Sequence, residues 1–302
     1  MTWRSVVITK PARLSFKNRA IVVEQEGNKV SVPLEDIAVL VIDTPQAVLS
    51  SQLLSACMDE GIVIVTVNAM HTPNGLMMPY LQHSRALKVM RLQLALSVPA
   101  QKRIWQSIVQ QKLRNQAAVL VFRGCQPVAG YLLQLANQVR SGDADNFEAQ
   151  GAAVYFPALF YKGFTRVKDC FYNAALNYCY SIVRSALARS LVSYGFLPAF
   201  GLHHRSELNA FNLADDLIEP YRPVVDVWVV KNYPLQPERE LNPQDKATLV
   251  GILHIDAPRL RGAEVEGSST ILALIDATVI SLSQRLQDAD VNLVMPGLPS
   301  HE

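Results

Sequence analysis

The sequence predicts a multidomain α+β fold, in which a small N-terminal β-sheet domain of sandwich-like form precedes a larger all-α domain. Three observations predict it. The chain has 302 residues, which is long for one hydrophobic core. Its first 67 residues contain short β-branched runs divided by turn formers. From residue 80 onward, apolar residues recur three and four positions apart, as in amphipathic helices. We therefore place the β domain at residues 1–72, a linker at 73–79 and the helical domain at 80–302.

Short runs rich in Val and Ile predict the strands of the β domain. They lie at residues 6–9, 20–23, 29–32, 37–42 and 62–65. A helix is predicted over about residues 50–60, because Leu49, Leu53 and Cys57 fall at helical spacing. Pro73-Asn74-Gly75 is a turn signal and marks the linker.

Helical spacing of apolar residues predicts the elements of the second domain. The segments lie near residues 80–97, 101–123, 126–140, 145–160, 170–194 and 206–219. The chain from there to about residue 286 is also expected to be helical, apart from a looser stretch at 232–242.

Composition excludes several classes of protein. No run of about 18 apolar residues occurs, so a membrane span is not expected. Residues 1–5 lack the apolar core of a signal peptide. The four cysteines have no zinc-type pairing, which indicates buried thiols in a reducing compartment. We therefore expect a cytoplasmic location.

Charge is segregated along the chain. Residues 79–140 contain nine basic and no acidic side chains, whereas residues 206–302 contain seven basic and 15 acidic ones. An acid-free basic span favours a polyanion as partner, although an ordinary surface balanced by the acidic tail is the alternative. The basic side chains predicted to contact phosphates without reading sequence, together with the histidine beside them, are His83, Arg85, Lys88, Arg91, Lys102, Arg103, Lys112 and Arg114.

Two histidines and several carboxylates are concentrated in residues 203–219. Asp216 and Glu219 are three residues apart and would share a helix face, and Pro220 would end the helix near Glu219. Glu148 lies among apolar neighbours, where a carboxylate needs a cation or a hydrogen-bond donor. One imidazole and two carboxylates are ligands that suit Mn²⁺, whereas Mg²⁺ prefers oxygen. The spacing leaves open whether His203 or His204 is the ligand.

Four segments in the same order carry a resemblance to a known family: residues 146–156, 173–180, 201–205 and 216–226. The chain resembles the CRISPR-associated integrase and endonuclease family of spacer acquisition (Cas1). Its double histidine and its Glu-Pro-Tyr-Arg-Pro run are similar to the type II version, which accompanies single-protein RNA-guided effectors. The resemblance implies metal ligands at Glu148, His204 and Glu219, with Asp216 as an auxiliary acidic group of the catalytic site. It also implies that Arg222 holds a carboxylate in place.

The function implied by the resemblance is the joining of 3′-OH ends of short DNA fragments to a repeat array by transesterification, with Mg²⁺ or Mn²⁺ as cofactor. The implied partners are double-stranded DNA, a second copy of the chain bound through the β domain, a small companion subunit (Cas2) in a heterohexamer, and the RNA-guided effector nuclease.

Two other functions remain open from the residues. His204 and Glu207 form a His-x-x-Glu pair that, with His254, fits a zinc peptidase. A non-catalytic DNA-binding scaffold is the second.

Overall fold

The computed structural model describes residues 4–68, 73–80, 84–234 and 238–298. It confirms the predicted order of a β region followed by a helical region, and it adds strands near the C-terminus. The strands are β1 Arg4–Ile8, β2 Ala12–Lys17, β3 Ala20–Gln25, β4 Asn28–Pro33, β5 Ile37–Ile42, β6 Ala47–Leu49, β7 Val63–Val67, β8 Pro73–Met77, β9 Asp256–Arg261, β10 Glu264–Thr270 and β11 Val294–Pro296. The helices are α1 Ser51–Asp59, α2 Ala86–Leu94, α3 Val98–Phe122, α4 Gln126–Gln138, α5 Phe147–Leu159, α6 Phe171–Ser193, α7 Asn212–Leu217, α8 Arg222–Asn232, α9 Pro243–Val250 and α10 Ile271–Arg285.

Two sheets build the N-terminal region. One has the order β1-β5-β7-β8, with β1, β5 and β7 parallel and β8 antiparallel to β7. The other has the order β4-β3-β2-β6, in which β2, β3 and β4 are antiparallel. Ser50 caps the N-terminus of helix α1 through a side chain that accepts the Leu53 N–H, and Leu53 and Cys57 of the helix pack into the core between the two sheets.

Strand β5 is buried on both faces and separates two hydrophobic cores. Leu40 and Ile42 pack into the core between the sheets. Val39 and Val41 belong to the large core of the helical region, because successive side chains of a strand point to opposite faces. The β region and the helical region therefore share a sheet as a common wall.

Helices α3 and α6 form the centre of the helical region. Helix α3 packs against α4, α5 and α8, and α6 packs against α7, α8, α9 and α10. Most residues of α6 are buried. None of the helices in the described ranges combines the length and hydropathy needed to cross a bilayer.

Three sequence-based assignments need correction. Residues 73–77, assigned to the linker, form strand β8, which pairs antiparallel with β7 and places Thr66 opposite Gly75. Strands β9 and β10, within residues 256–270, occur where helices were expected, and β11 completes their sheet in the order β10-β9-β11. The helix predicted over 206–219 is the short α7. Residues 69–72, beside the domain boundary, and His83 lie outside the described residues.

A buried ion pair joins the β region to the helical region. Lys246 Nζ on α9 lies 2.8 Å from Asp43 Oδ2, just after β5, and both side chains are almost fully buried. Arg189 on α6 adds a second link by donating from Nε to the Gly61 carbonyl at 2.8 Å. A buried pair of this kind contributes little net stability when intact, but loss of one partner leaves a charge uncompensated.

Lys246→Met is therefore expected to lower the free energy of unfolding by about 3–5 kcal/mol, measured by urea unfolding. The control is Lys10→Met, because Lys10 and Glu26 form an exposed pair, for which about 1 kcal/mol or less is expected. The double variant Asp43→Asn/Lys246→Met should recover part of the loss. A double variant no more stable than Lys246→Met would contradict this account.

Candidate functional site

Glu148 is fixed at the first turn of α5. Both carboxylate oxygens of Asp143 accept from the start of that helix, Oδ1 from Phe147 N–H at 2.9 Å and Oδ2 from Glu148 N–H at 3.0 Å. These bonds satisfy N–H groups that have no partner within the helix. The helix dipole also favours a carboxylate at this end. Glu148 is thus held with its charge at a helix start rather than on a free surface.

Asp216 on α7 organises the loop that carries the histidines. Its buried carboxylate accepts the backbone N–H groups of Leu202, His203 and His204. Gly201 is required for this close approach, since an added Cβ would collide with the His204 carbonyl and lie 2.8 Å from Asp216 Oδ2. Asp216 therefore shapes the loop as well as contacting the imidazole described next.

The two histidines have different surroundings. His204 Nδ1 lies 2.7 Å from Asp216 Oδ1, so the carboxylate accepts from Nδ1 and the Nε2 lone pair is left for a ligand. His203 stacks on Trp105 of α3, with ring centroids 4.3 Å apart and an interplanar angle of 3°. This geometry favours His204 as the ligand and gives His203 a packing role, a distinction that spacing could not make.

Glu219 begins a 3-10 turn, Glu219–Tyr221, directly after α7. The predicted break at Pro220 is confirmed. Asn115 of α3 fixes the turn by donating from Nδ2 to the Pro220 carbonyl at 2.8 Å. Arg222 Nε donates to Glu219 Oε1 at 2.7 Å, which is the contact expected for Arg222.

Lys112 brings the two glutamates together. Its ammonium lies between Glu148 Oε1 and Glu219 Oε2 and contacts both. The exposed fractions of the side chains are 6% for Lys112, 30% for Glu148 and 8% for Glu219. Lys112 was predicted to contact DNA phosphate from a basic surface, but in this structure its charge faces inward between two carboxylates.

The electrostatics of the site favour the charged forms of Lys112 and Glu219. Burial alone would raise the pKa of Glu219, but Arg222 and Lys112 lower it to about 2. Burial acts against a charged Lys112, yet Glu219 and Glu148 raise its pKa above the usual value. The Asp216 hydrogen bond raises the pKa of His204.

The donor set fits a hard divalent cation. The two carboxylates already surround a positive charge, and an imidazole with an available Nε2 lies close enough for Glu219 to influence its pKa. Among the described residues, however, no three His, Cys, Asp or Glu side chains are close enough together to hold an ion. The carboxylates are arranged around the Lys112 ammonium instead.

The remaining basic residues, Arg85, Lys88, Arg91, Lys102, Arg103 and Arg114, are exposed. Arg103 and Arg114 lie roughly 160–180° around the α3 axis from Lys112, at about 100° per residue. Helix α2, which carries Lys88 and Arg91, is tied to the histidine loop. Its Gln93 donates to the Leu197 and Phe200 carbonyls at 3.0 and 2.9 Å. Helix α2 therefore lies beside the histidine loop, whereas Arg103 and Arg114 of α3 face away from Lys112.

The zinc-peptidase alternative finds no support in the geometry. Glu207 is exposed, and His254 Nε2 lies 3.1 Å from Ser5 Oγ of β1. No cluster of three potential zinc ligands occurs in the ranges that the structure describes.

The sequence pattern did not assign a role to Asp226, which forms a buried polar network behind the site. Tyr155 OH donates to Asp226 Oδ2 at 2.8 Å, and Tyr180 OH donates to Oδ1. The Arg222 guanidinium lies over the Tyr180 ring, 4.7 Å from its centroid. The network thus supports the arginine that holds Glu219.

Comparison with known proteins places the chain in a family. A family model described as CRISPR associated protein Cas1 matches residues 6–245. A CRISPR-associated endonuclease Cas1 of Neisseria meningitidis serogroup C (strain 8013) is 45% identical over 289 residues, which covers 95% of this chain and 93% of that protein. The chain belongs to the Cas1 family.

Solved structures agree with the Cas1 fold. A casposase bound to integration product superimposes with a TM-score of 0.75 at 14% identity, covering 97% of this chain and 92% of that chain. A Cas6-RT-Cas1–Cas2 complex gives a TM-score of 0.72 at 14% identity, covering 95% of this chain and 35% of that chain. At such identities the likeness concerns the fold, and it extends over nearly the whole of this Cas1-family chain.

The Asp226 network predicts a pH dependence of stability. Burial raises the pKa of Asp226 to about 6, although the tyrosine hydroxyls act in the opposite direction. Between the ordinary value of 3.8 and about 6, the folded state binds more protons than the unfolded state, so this group lowers stability as pH rises. Relative to wild type, Asp226→Asn should gain on the order of 3 kcal/mol between pH 4 and pH 7, measured by urea unfolding. Parallel curves of unfolding free energy against pH for the two proteins would contradict the raised pKa of Asp226.

Proposed function

We propose that this Cas1-family chain is a metal-dependent DNA integrase and endonuclease of CRISPR adaptation. It joins 3′-OH ends of short DNA fragments to a repeat array by transesterification. The observation that carries the proposal is that Glu148 and Glu219, 71 positions apart in the chain, both contact the Lys112 ammonium. The His204 imidazole, oriented by Asp216, lies beside them. Two fold neighbours, a casposase bound to integration product and a Cas6-RT-Cas1–Cas2 complex, are in keeping with it.

The cofactor would be Mg²⁺ or Mn²⁺, held by Glu148, His204 Nε2 and Glu219. Such an ion supplies positive charge to the phosphodiester and makes an attacking hydroxyl more acidic. The reaction forms one P–O bond to the incoming 3′ oxygen and breaks one P–O bond in the repeat strand. The hydroxyl proton is lost to solvent and the leaving oxygen takes one up, so no nucleotide hydrolysis is required.

The chain's own residues would position this chemistry. Asp216 holds the His204 ring by accepting from Nδ1 and fixes the loop through three backbone N–H groups. This combination of roles gives Asp216 the auxiliary acidic function that the family resemblance implies. Arg222 holds Glu219 Oε1, and Asp143 holds the helix start that carries Glu148. Side chains fixed in this way lose little freedom when the substrate binds.

Double-stranded DNA, both fragment and repeat array, would bind along α2 beside the histidine loop. Arg85, Lys88 and Arg91 are exposed there, and Lys102 is exposed near the start of α3. Contacts of this kind bind phosphates without reading sequence.

Protein partners are proposed from the family. A second copy would bind through the β domain, where β4 is an edge strand with an exposed Val30 that can meet another chain. A Cas2 subunit would complete a heterohexamer, and the RNA-guided effector nuclease would help to choose fragments.

Removal of the proposed ligands tests the function. Glu148→Gln and His204→Ala should each lower integration of a labelled duplex into a supercoiled repeat plasmid by about 100-fold or more, with Mn²⁺ present. His203→Ala should keep more activity than His204→Ala, since His203 stacks on Trp105. A chelator should abolish the reaction.

Glu207→Ala is the matched control, because Glu207 is an exposed carboxylate of the same segment and a ligand only in the zinc-peptidase alternative. It should integrate like wild type. Full integration by Glu148→Gln would leave the scaffold alternative in place, and loss of integration in Glu207→Ala would reject the proposed ligand set.

Neutralisation of α2 tests the DNA surface. Arg85→Gln/Lys88→Gln/Arg91→Gln should reduce the slope of log binding constant against log salt by about 2–3, since each phosphate contact contributes about 0.9. Fluorescence anisotropy with a labelled duplex measures the slope. Lys10→Gln/Lys29→Gln in the β region, where both lysines are exposed, is the control. An unchanged slope in the α2 variant would reject this surface.

A further inference from the structure

Lys112 is a buried cation to which the proposed chemistry assigns no role. It lies in the middle of α3, among buried neighbours that include Gln111, Leu113 and Asn115. Its ammonium contacts Glu148 and Glu219, the two carboxylates that would also hold the metal ion. A lysine on the inner face of a long helix is costly unless its charge is compensated. The contacts therefore define a specific arrangement rather than an incidental surface pair.

The charges of the four side chains in direct contact are balanced. Lys112 and Arg222 supply two positive charges, and Glu148 and Glu219 supply two negative ones. A divalent ion bound to the same carboxylates would leave two positive charges in excess within a largely buried group. Uncompensated buried charge costs several kcal/mol. The two carboxylates therefore bind the ion less tightly while the ammonium contacts them.

The cluster is open on one side. The Glu148 side chain is 30% exposed and the His204 side chain 44% exposed, whereas Lys112 and Glu219 are almost covered. The lysine side chain is a flexible four-carbon stem that ends in a compact charge, so the ammonium can move while its backbone stays fixed in α3. A phosphate that enters from the open side would offer it a new anionic partner.

We propose that Lys112 competes with the divalent ion for Glu148 and Glu219, and that a DNA phosphate relieves this competition by taking over the ammonium. Ion binding and DNA binding are then coupled through one side chain. The coupling is reciprocal, so DNA tightens ion binding by the same factor by which the ion tightens DNA binding. This inference rests on the proposed function, because it uses the same two carboxylates as ligands.

The test is direct binding of Mn²⁺ to the full-length protein, measured by the electron paramagnetic resonance signal of free Mn²⁺. Titrations are done with and without a short duplex, and the titration of the duplex alone is subtracted. Wild type should bind Mn²⁺ about tenfold more tightly when the duplex is present, within the usual range of coupling between sites. Equal affinity with and without duplex would overturn the inference, and that result needs no variant.

Lys112→Met removes the charge and keeps an unbranched side chain. It should bind Mn²⁺ about tenfold more tightly than wild type without DNA, and addition of duplex should then have little effect. Lys112→Gln is the second variant, in case the methionine disturbs folding, and circular dichroism checks both. Lys10→Met, at an exposed lysine of the β region outside the proposed DNA surface, is the control and should keep the wild-type coupling. Either Lys112 variant retaining wild-type affinity and coupling would overturn the inference.

Glu148→Gln separates this inference from the proposed function. If it abolishes Mn²⁺ binding while Lys112→Met changes nothing, the metal site stands and the competition is wrong. If Mn²⁺ binding does not depend on Glu148 at all, the proposed ligand set fails, and the role of Lys112 fails with it.

Discussion

The contact of Lys112 with Glu148 and Glu219 is the interaction on which the site depends. It joins three elements that are remote in sequence: α3, the start of α5 and the 3-10 turn after α7. Each charge is largely removed from water, and each is tolerated because the others lie beside it. Each of these two glutamates also has its own support. Asp143 accepts from the backbone N–H of Glu148 at the start of α5, and Arg222 donates to the Glu219 carboxylate. The positions of the two carboxylates are thus set by the elements that carry them and by these hydrogen bonds.

Helix α3 combines this polar interior with ordinary packing. Ile108 and Leu113 belong to the large hydrophobic core, while Lys112 and Asn115 lie on the same buried side. Asn115 donates to the carbonyls of Pro220 and Pro296, so one side chain holds both the glutamate turn and strand β11. A buried amide that satisfies two carbonyls specifies how three elements meet, which apolar contact alone does not do.

Sequence reasoning predicted which residues lie close together better than it predicted the topology. Glu148, His204 and Glu219 were named as candidate ligands from residue types, order and family resemblance, and the structure brings the two glutamates to Lys112. The Pro220 break followed from proline geometry. Strands β9 and β10 could not, because their runs Asp-Ala-Pro-Arg-Leu-Arg and Glu-Val-Glu-Gly-Ser-Ser-Thr are polar and become a hairpin only by pairing with each other. Strand β8 was not predicted, because its Pro73-Asn74-Gly75 run is typical of a turn. In the structure this run is part of a strand that pairs with β7. Strand pairing depends on contacts that a local pattern does not contain.

Lys112 shows why a count of charges along the chain was insufficient. The charge count of residues 79–140 does not distinguish among their nine cations, but position around the helix axis does. Trp105 and Ile108 precede Lys112 by seven and four residues and are buried on the same side of α3. Arg103 and Arg114 point away from that side and are exposed. The same basic segment therefore supplies outward charges that suit a polyanion and one inward charge that organises carboxylates. A phosphodiester and the two glutamates are all oxygen anions, so under the proposed function the charge of Lys112 would act on the substrate as well as on the site.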